Sequence, residues 1–169
     1  MTNSNNSSFL KNIFSKFSKK KFKFLSISTC MIADAFVAFY LYLVYANPQT
    51  YRESFKIAYQ SLRLVDPNIA NGIKDPHFQD QVIQLMVHTV ISIICVYLII
   101  HLIIYIFRLY NKKFAQSYIK LYSWTGGVLM ISIALFNLDT PRVAMFMIPG
   151  FLLLFNALGF KHVDQMKEE

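Results

Sequence analysis

Charge, glycine and proline are what this 169-residue chain has least of: 15% of its residues are charged, with five Gly, five Pro and two Cys. An ordinary soluble domain carries about 25% charged residues. So few charges cannot cover a core that would have to hold 16 Phe and 10 Tyr, and the excess apolar surface calls for lipid. The low Gly and Pro content excludes collagen-like and low-complexity chains, and two cysteines exclude a disulfide-stapled scaffold. Phosphate-binding glycine loops, HExxH, CxxC and GxSxG are also missing. The sequence therefore nominates no catalytic residue, and no cofactor is expected.

What is present is 55% hydrophobic residues, gathered into runs of the roughly 20 residues that a helix needs to cross about 30 Å of hydrocarbon. Four such spans are expected, near 24–46, 82–107, 117–138 and 141–160. Continuous rather than alternating apolarity selects helices over a barrel. The expected fold is an all-α integral membrane protein, an antiparallel bundle of four transmembrane helices occupying 24–160, with an outer loop at 47–81 and a cytoplasmic tail at 161–169. Asp75-Pro76 and Thr140-Pro141 each set a capping side chain before a proline at the first helical position. They mark the outer ends of the second and fourth spans. The second helical pattern runs from Pro76 to about Tyr110, on the order of 50 Å at helical rise and longer than the bilayer core.

Basic residues set the orientation. Lys11, Lys16, Lys19, Lys20, Lys21 and Lys23 precede the first span without an acidic neighbour, and Arg108, Lys112, Lys113 and Lys120 flank the second connection. The loop between the first two spans balances Arg52, Lys56, Arg63 and Lys74 against Glu53, Asp66, Asp75 and Asp80. Both termini are then cytoplasmic, and the net charge of +8 reflects topology rather than nucleic-acid binding. The first span resembles a signal peptide superficially, but its length and Asp34 favour an uncleaved anchor. A multi-pass protein of a bacterial inner (cytoplasmic) membrane is expected.

Outside the hydrocarbon, residues 1–8 are Asn- and Ser-rich and expected to be disordered. Over 9–23, Leu10, Ile13, Phe14 and Phe17 recur at helical spacing among the lysines, a basic amphipathic segment suited to anionic headgroups or to a docking partner. In the outer loop, Thr50-Tyr51-Arg52-Glu53 fits a capping box. Tyr51, Phe55, Ala58, Tyr59 and Leu62 then share one face, which predicts a short amphipathic helix from Tyr51 to about Leu64, ended by Asp66-Pro67 and followed by a turn at Asn71-Gly72.

Polar residues within spans are rare and costly, so they are the candidate functional groups. Asp34 lies near mid-span, where a bare carboxylate is disfavoured; it must be protonated or paired, either as a working group or as a hydrogen-bonded tie between helices. The second span carries two stripes. His77, Asp80, Gln84, His88 and Cys95 share one face of its outer half, and Tyr97, His101, Tyr105 and Arg108 nearly the opposite face of its inner half. Such an offset suits two half-pathways, and equally a helix that meets different neighbours at its two ends. His88 and His101 point about 140° apart on their helix, which disfavours haem, and the outer stripe is a weak metal candidate; no metal is expected. In the third span, Ser123 and Gly127 form a small-xxx-small pair. Pro149-Gly150 suggests a kink in the fourth, and Asp34, His101, Thr125 and Asn156 fall at similar depth, the expected partners of the carboxylate. Lys120 lies near enough to the interface to snorkel.

Two functions are compatible with this pattern. One is a non-catalytic accessory, scaffolding or assembly subunit of a membrane complex, bound to a membrane-protein partner or to its own copies. The other is a small proton- or ion-coupled channel or transporter using Asp34 with His101 and His88.

Overall fold

The computed structural model describes Phe14, residues 17–136 and residues 143–163, and every regular element among them is helical. The elements are α1 (Lys19–Tyr45), α2 (Pro48–Arg63), α3 (Pro67–Lys74), α4 (Pro76–Leu109), α5 (Lys113–Phe136) and α6 (Val143–Val163). Three of them, α1, α4 and α5, are long and apolar enough to cross a membrane, while the apolar part of α6, Met145–Lys161, is shorter. These are the features of an integral membrane protein. The chain divides into two compact units, one drawn from Met1–Val37 with Ile100–Glu169 and the other from Ala38–Ile99.

In the first unit, α5 and α6 pack along their length. Ala115, Ile119, Ser123, Gly127, Met130 and Ala134 make the buried stripe of α5, spaced to keep one helical face inward. Glycine permits the approach: a Cβ on Gly127 would lie 2.9 Å from the Leu154 side chain, and one on Gly150 would lie 2.8 Å from Ile131. The expected small-xxx-small contact of Ser123 and Gly127 is thus made, against α6. Pro149 stands inside α6, which continues through it as one helix.

Phe14, Phe22 and Phe160 are buried. Phe22 meets Phe14 and Phe160 edge-on, at ring separations of 6.1 and 5.2 Å, and Phe14 lies 5.0 Å from Phe155. This aromatic cluster joins the start of α1 to the end of α6 and requires Gly159, where a Cβ would collide with both Phe14 and Phe22.

The carboxyl end of α4 is closed by a Schellman motif. Asn111 adopts φ 58°, its N–H bonds the Arg108 carbonyl, and the Lys112 N–H reaches back to the Phe107 carbonyl, both at 3.0 Å. Lys23 then donates to the Leu109 carbonyl and to Asn111 Oδ1, each at 3.1 Å, placing a cation at the negative end of the helix dipole. Buried Arg108 donates to Gln116 Oε1 at 2.8 Å and lies over the Phe160 ring.

In the second unit, Asn47 caps α2 by accepting from the Gln49 N–H, with Pro48 in the first turn. This corrects the expected capping box. The helix starts a turn earlier than Tyr51, and the Thr50 hydroxyl instead donates to the Val44 carbonyl at 3.3 Å. Tyr51, Phe55, Ala58, Tyr59 and Leu62 are the half-buried positions of α2, as their spacing predicts. Asn71-Gly72 is not a turn but lies within α3; Asp66 starts that helix by accepting from the Asn68 N–H. Asp75 likewise accepts from the His77 N–H, so α4 begins at Pro76 as the Asp-Pro pair predicts. Arg52 and Asp80 pair across the surface at 2.8 Å.

Thr140-Pro141, residues 1–8, Lys11 and Lys16 lie outside the described residues. Lys19, Lys20, Lys21 and Lys23 stand in the opening turns of α1, continuous with its apolar run.

Candidate functional site

The polar centre of the first unit is built on Asp34 of α1, Tyr105 and His101 of α4, and Tyr118 and Tyr122 of α5. Asp34 is 3% exposed, His101 5% and Tyr105 4%. His101 Nδ1 lies 2.9 Å from Asp34 Oδ2, the Tyr105 hydroxyl donates to the same oxygen, and the Tyr122 hydroxyl donates to Oδ1 at 2.6 Å. Three donors from two neighbouring helices therefore converge on one carboxylate. An ionised Asp34 only accepts, and with it His101 carries its proton on Nδ1; a protonated Asp34 can instead donate to Nδ1. On its other side, Nε2 lies 2.9 Å from the Tyr118 hydroxyl. A neutral ring accepts there from Tyr118, whereas an imidazolium donates to it.

The aromatic rings hold this arrangement. Tyr118 and Tyr122 stack at 6.1 Å with 12° between planes, and His101 stands edge-on to both, at 5.7 and 4.8 Å. Their spacing of four residues on α5 puts both phenols on one face. A phenol has an apolar body and a polar tip, so a pair of them inside an apolar run is easily read as lipid-facing.

One turn along α1 from Asp34 is a second buried polar group. Asn156 Nδ2 donates to Ser123 Oγ at 2.9 Å and faces Cys30 Sγ and the Ser26 carbonyl, both at 3.3 Å. The carbonyl fixes the amide orientation, since only the nitrogen side can bond it. Asn156 Oδ1 then has no hydrogen-bond partner among the described residues.

The expectations about individual residues divide accordingly. Asp34 and His101 are brought together. Asn156 is buried nearby, but its bonds go to Ser26, Cys30 and Ser123 rather than to the carboxylate. Thr125 is exposed and bonds the Leu121 carbonyl of its own helix at 2.9 Å, so it takes no part. His88 and Tyr97 belong to the second unit; Tyr97 is half-buried there. His88 is exposed, its Nδ1 lies 2.8 Å from the Gln84 carbonyl, and it lines a shallow surface depression of about 530 Å³ with Leu85, Thr89, Ser92, Ile93 and Val96. Lys19, Lys20 and Lys21 are exposed, whereas Lys23 is committed to the end of α4. Tyr118, Tyr122 and Cys30 are members that the sequence did not single out, and Ser123, expected as a packing residue, also accepts from Asn156; the four-residue spacing of the two tyrosines was the available signal.

No protein-family model matches this chain, and no curated protein or solved structure matches it.

Proposed function

We propose that the chain crosses a bacterial cytoplasmic membrane four times, with both termini on the cytoplasmic side, and serves as a non-catalytic accessory, scaffolding or assembly subunit of a membrane complex. The observation that carries the functional reading is the use made of Asp34: its carboxylate ties α1 to α4 and α5 through His101, Tyr105 and Tyr122. A buried charge satisfied by donors on neighbouring helices fixes which helices meet and in what register. A unit held in one arrangement suits a platform for partners. Of the three long apolar helices, α4 has the least buried apolar window, 17% against 28% in α1 and in α5.

The fourth crossing would be α6, whose apolar part is shorter than the others and ends at Lys161. Lysines at the starts of α1 and α5 support a cytoplasmic location for that end, and anionic headgroups are the natural counter-charge for Lys19, Lys20 and Lys21. Extraction in a mild detergent followed by mass spectrometry of co-purifying proteins tests the function: recovery without any stoichiometric partner overturns it. Labelling of single cysteines tests the topology. Reagent applied from outside is expected to reach Asn71→Cys and not Lys113→Cys, and the reverse pattern inverts the assignment.

A second reading, a proton- or ion-coupled transporter using Asp34 with His101 and His88, is favoured by one feature. Tyr118, His101 and Asp34 form an unbroken hydrogen-bonded chain. Vesicles loaded with a pH-sensitive dye should then show a flux that Asp34→Asn abolishes.

A further inference from the structure

Of the three described donors to Asp34, His101 has a second polar atom on the far side of its ring, and that atom meets Tyr118. Asp34, His101 and Tyr105 are all buried, whereas Tyr118 and Tyr122 are half-buried, and Tyr118 lies one turn nearer the start of α5. Tyr118 also stands five residues after Lys113, the first residue of α5, about 7–8 Å along the helix at its normal rise. It is therefore the member of the chain nearest the lysine-bearing end. Exposed Lys120 lies on the same helix.

We propose that Tyr118 and His101 form a proton relay through which the Asp34 carboxyl exchanges a proton with water at the lysine-bearing end of α5. This deepens the transporter reading and rests on Asp34 being a proton-exchanging group, but does not require net transport.

The transfer balances with neutral carriers. A hydronium ion at the interface gives a proton to the Tyr118 oxygen as the original hydroxyl proton passes to His101 Nε2. The Nδ1 proton of His101 moves to Asp34 Oδ2. Tyr118 ends neutral, His101 ends as the Nε2–H tautomer, and Asp34 ends as the acid, its new O–H donating back to Nδ1. Loss of the proton retraces the path and restores the first tautomer. Imidazole suits this step because its two nitrogens can exchange donor and acceptor roles.

Tyr105 donates to the same carboxylate oxygen and lies 3.4 Å from His101 Nδ1, which makes it a positioning residue that holds the short gap. Among the described residues, the titratable groups set against Asp34 include His101 and Tyr105 from α4, Tyr118 and Tyr122 from α5 and Cys30 on its own helix, while α6 contributes the neutral Asn156 to Cys30.

Infrared spectroscopy of the full chain in phosphatidylcholine–phosphatidylglycerol vesicles provides the test. A protonated-carboxyl band that appears on acidification and disappears in Asp34→Asn reports the group, and its shift after transfer to D2O gives the exchange rate. Tyr118→Phe keeps the stacked ring and removes the hydroxyl, so it is expected to slow that exchange by about tenfold or more, with Tyr122→Phe near the wild-type rate. A wild-type rate in Tyr118→Phe, or slowing in Tyr122→Phe alone, overturns the relay and leaves the transporter reading standing. If no Asp34→Asn-sensitive band exists in acidic or alkaline buffer, the carboxyl does not exchange and both fail. An unchanged melting temperature and far-ultraviolet circular dichroism of Tyr118→Phe separate slowed transfer from a disturbed fold.

Discussion

Lys23 Nζ stands 3.1 Å from Asn111 Oδ1, so the basic start of α1 is fastened to the residue whose left-handed backbone ends α4. The backbone geometry is the more demanding part of this contact. Asn and Gly accept a positive φ, whereas other residues pay about 1–2 kcal/mol for it. Asn111→Gly is therefore expected to change stability by no more than about 0.5 kcal/mol and Asn111→Val to cost about 1–2 kcal/mol, measured by thermal unfolding in detergent. Equal losses in the two variants would assign the effect to the Lys23 bond instead.

Glycine substitutions should sort by what a methyl group would meet. Gly72 lies inside α3 with nothing within 4 Å of its Cβ position, so Gly72→Ala is expected to stabilise by about 0.5–1 kcal/mol through helix propensity. At Gly159 and Gly127 the methyl would strike Phe22 and Leu154, respectively. Each alanine there is expected to destabilise by about 1–3 kcal/mol from overpacking. The same melting experiment reads all three, and a stabilised Gly159→Ala would remove the case for the aromatic cluster.

The Asp34 hub predicts non-additivity. Asp34→Asn leaves donors from α4 and α5 without their carboxylate and is expected to cost about 1–2 kcal/mol, the range for a polar contact between membrane helices. Asp34→Ala leaves no acceptor for the Tyr122 hydroxyl, so in the double variant Asp34→Ala with Tyr122→Phe the tyrosine change should add little to the loss of Asp34→Ala alone. Strict additivity in that cycle would mean that the two side chains do not interact.

The exposed Arg52–Asp80 pair is expected to matter least. Both side chains are more than half exposed, at 51% and 59%, and Asp80→Asn should change stability by under about 1 kcal/mol at low salt and less at high salt.

Much of this was legible in the chain. Asp34 stands out in an apolar run, and the spacing of His101 and Tyr105 put them on one face of α4. Depth along a helix is only one coordinate, however. Thr125 matches the depth of the cluster but sits two residues from Ser123, roughly 200° around the axis, and so faces outward. Asn156 also has the right depth, yet meets α1 at Ser26 and Cys30. Tyr118 and Tyr122 do not stand out in the sequence because their rings count as apolar while their hydroxyls do the bonding. At α2, Thr50 and Asn47 are both acceptable caps by residue type; Pro48 at the first turn favours the earlier start.

The order of synthesis gives the Asp34 hub one more consequence. His101 follows Asp34 by 67 residues and Tyr122 by 88, so at about 5–20 residues per second the nascent chain carries the carboxylate for several seconds before either donor exists. For α1 to enter a membrane during that interval, its phenylalanines, leucines and isoleucines would have to outweigh an Asp that by itself opposes insertion by about 2.5–3.5 kcal/mol. The rest of the first unit is thus assembled around a helix that is complete only when the later ones arrive.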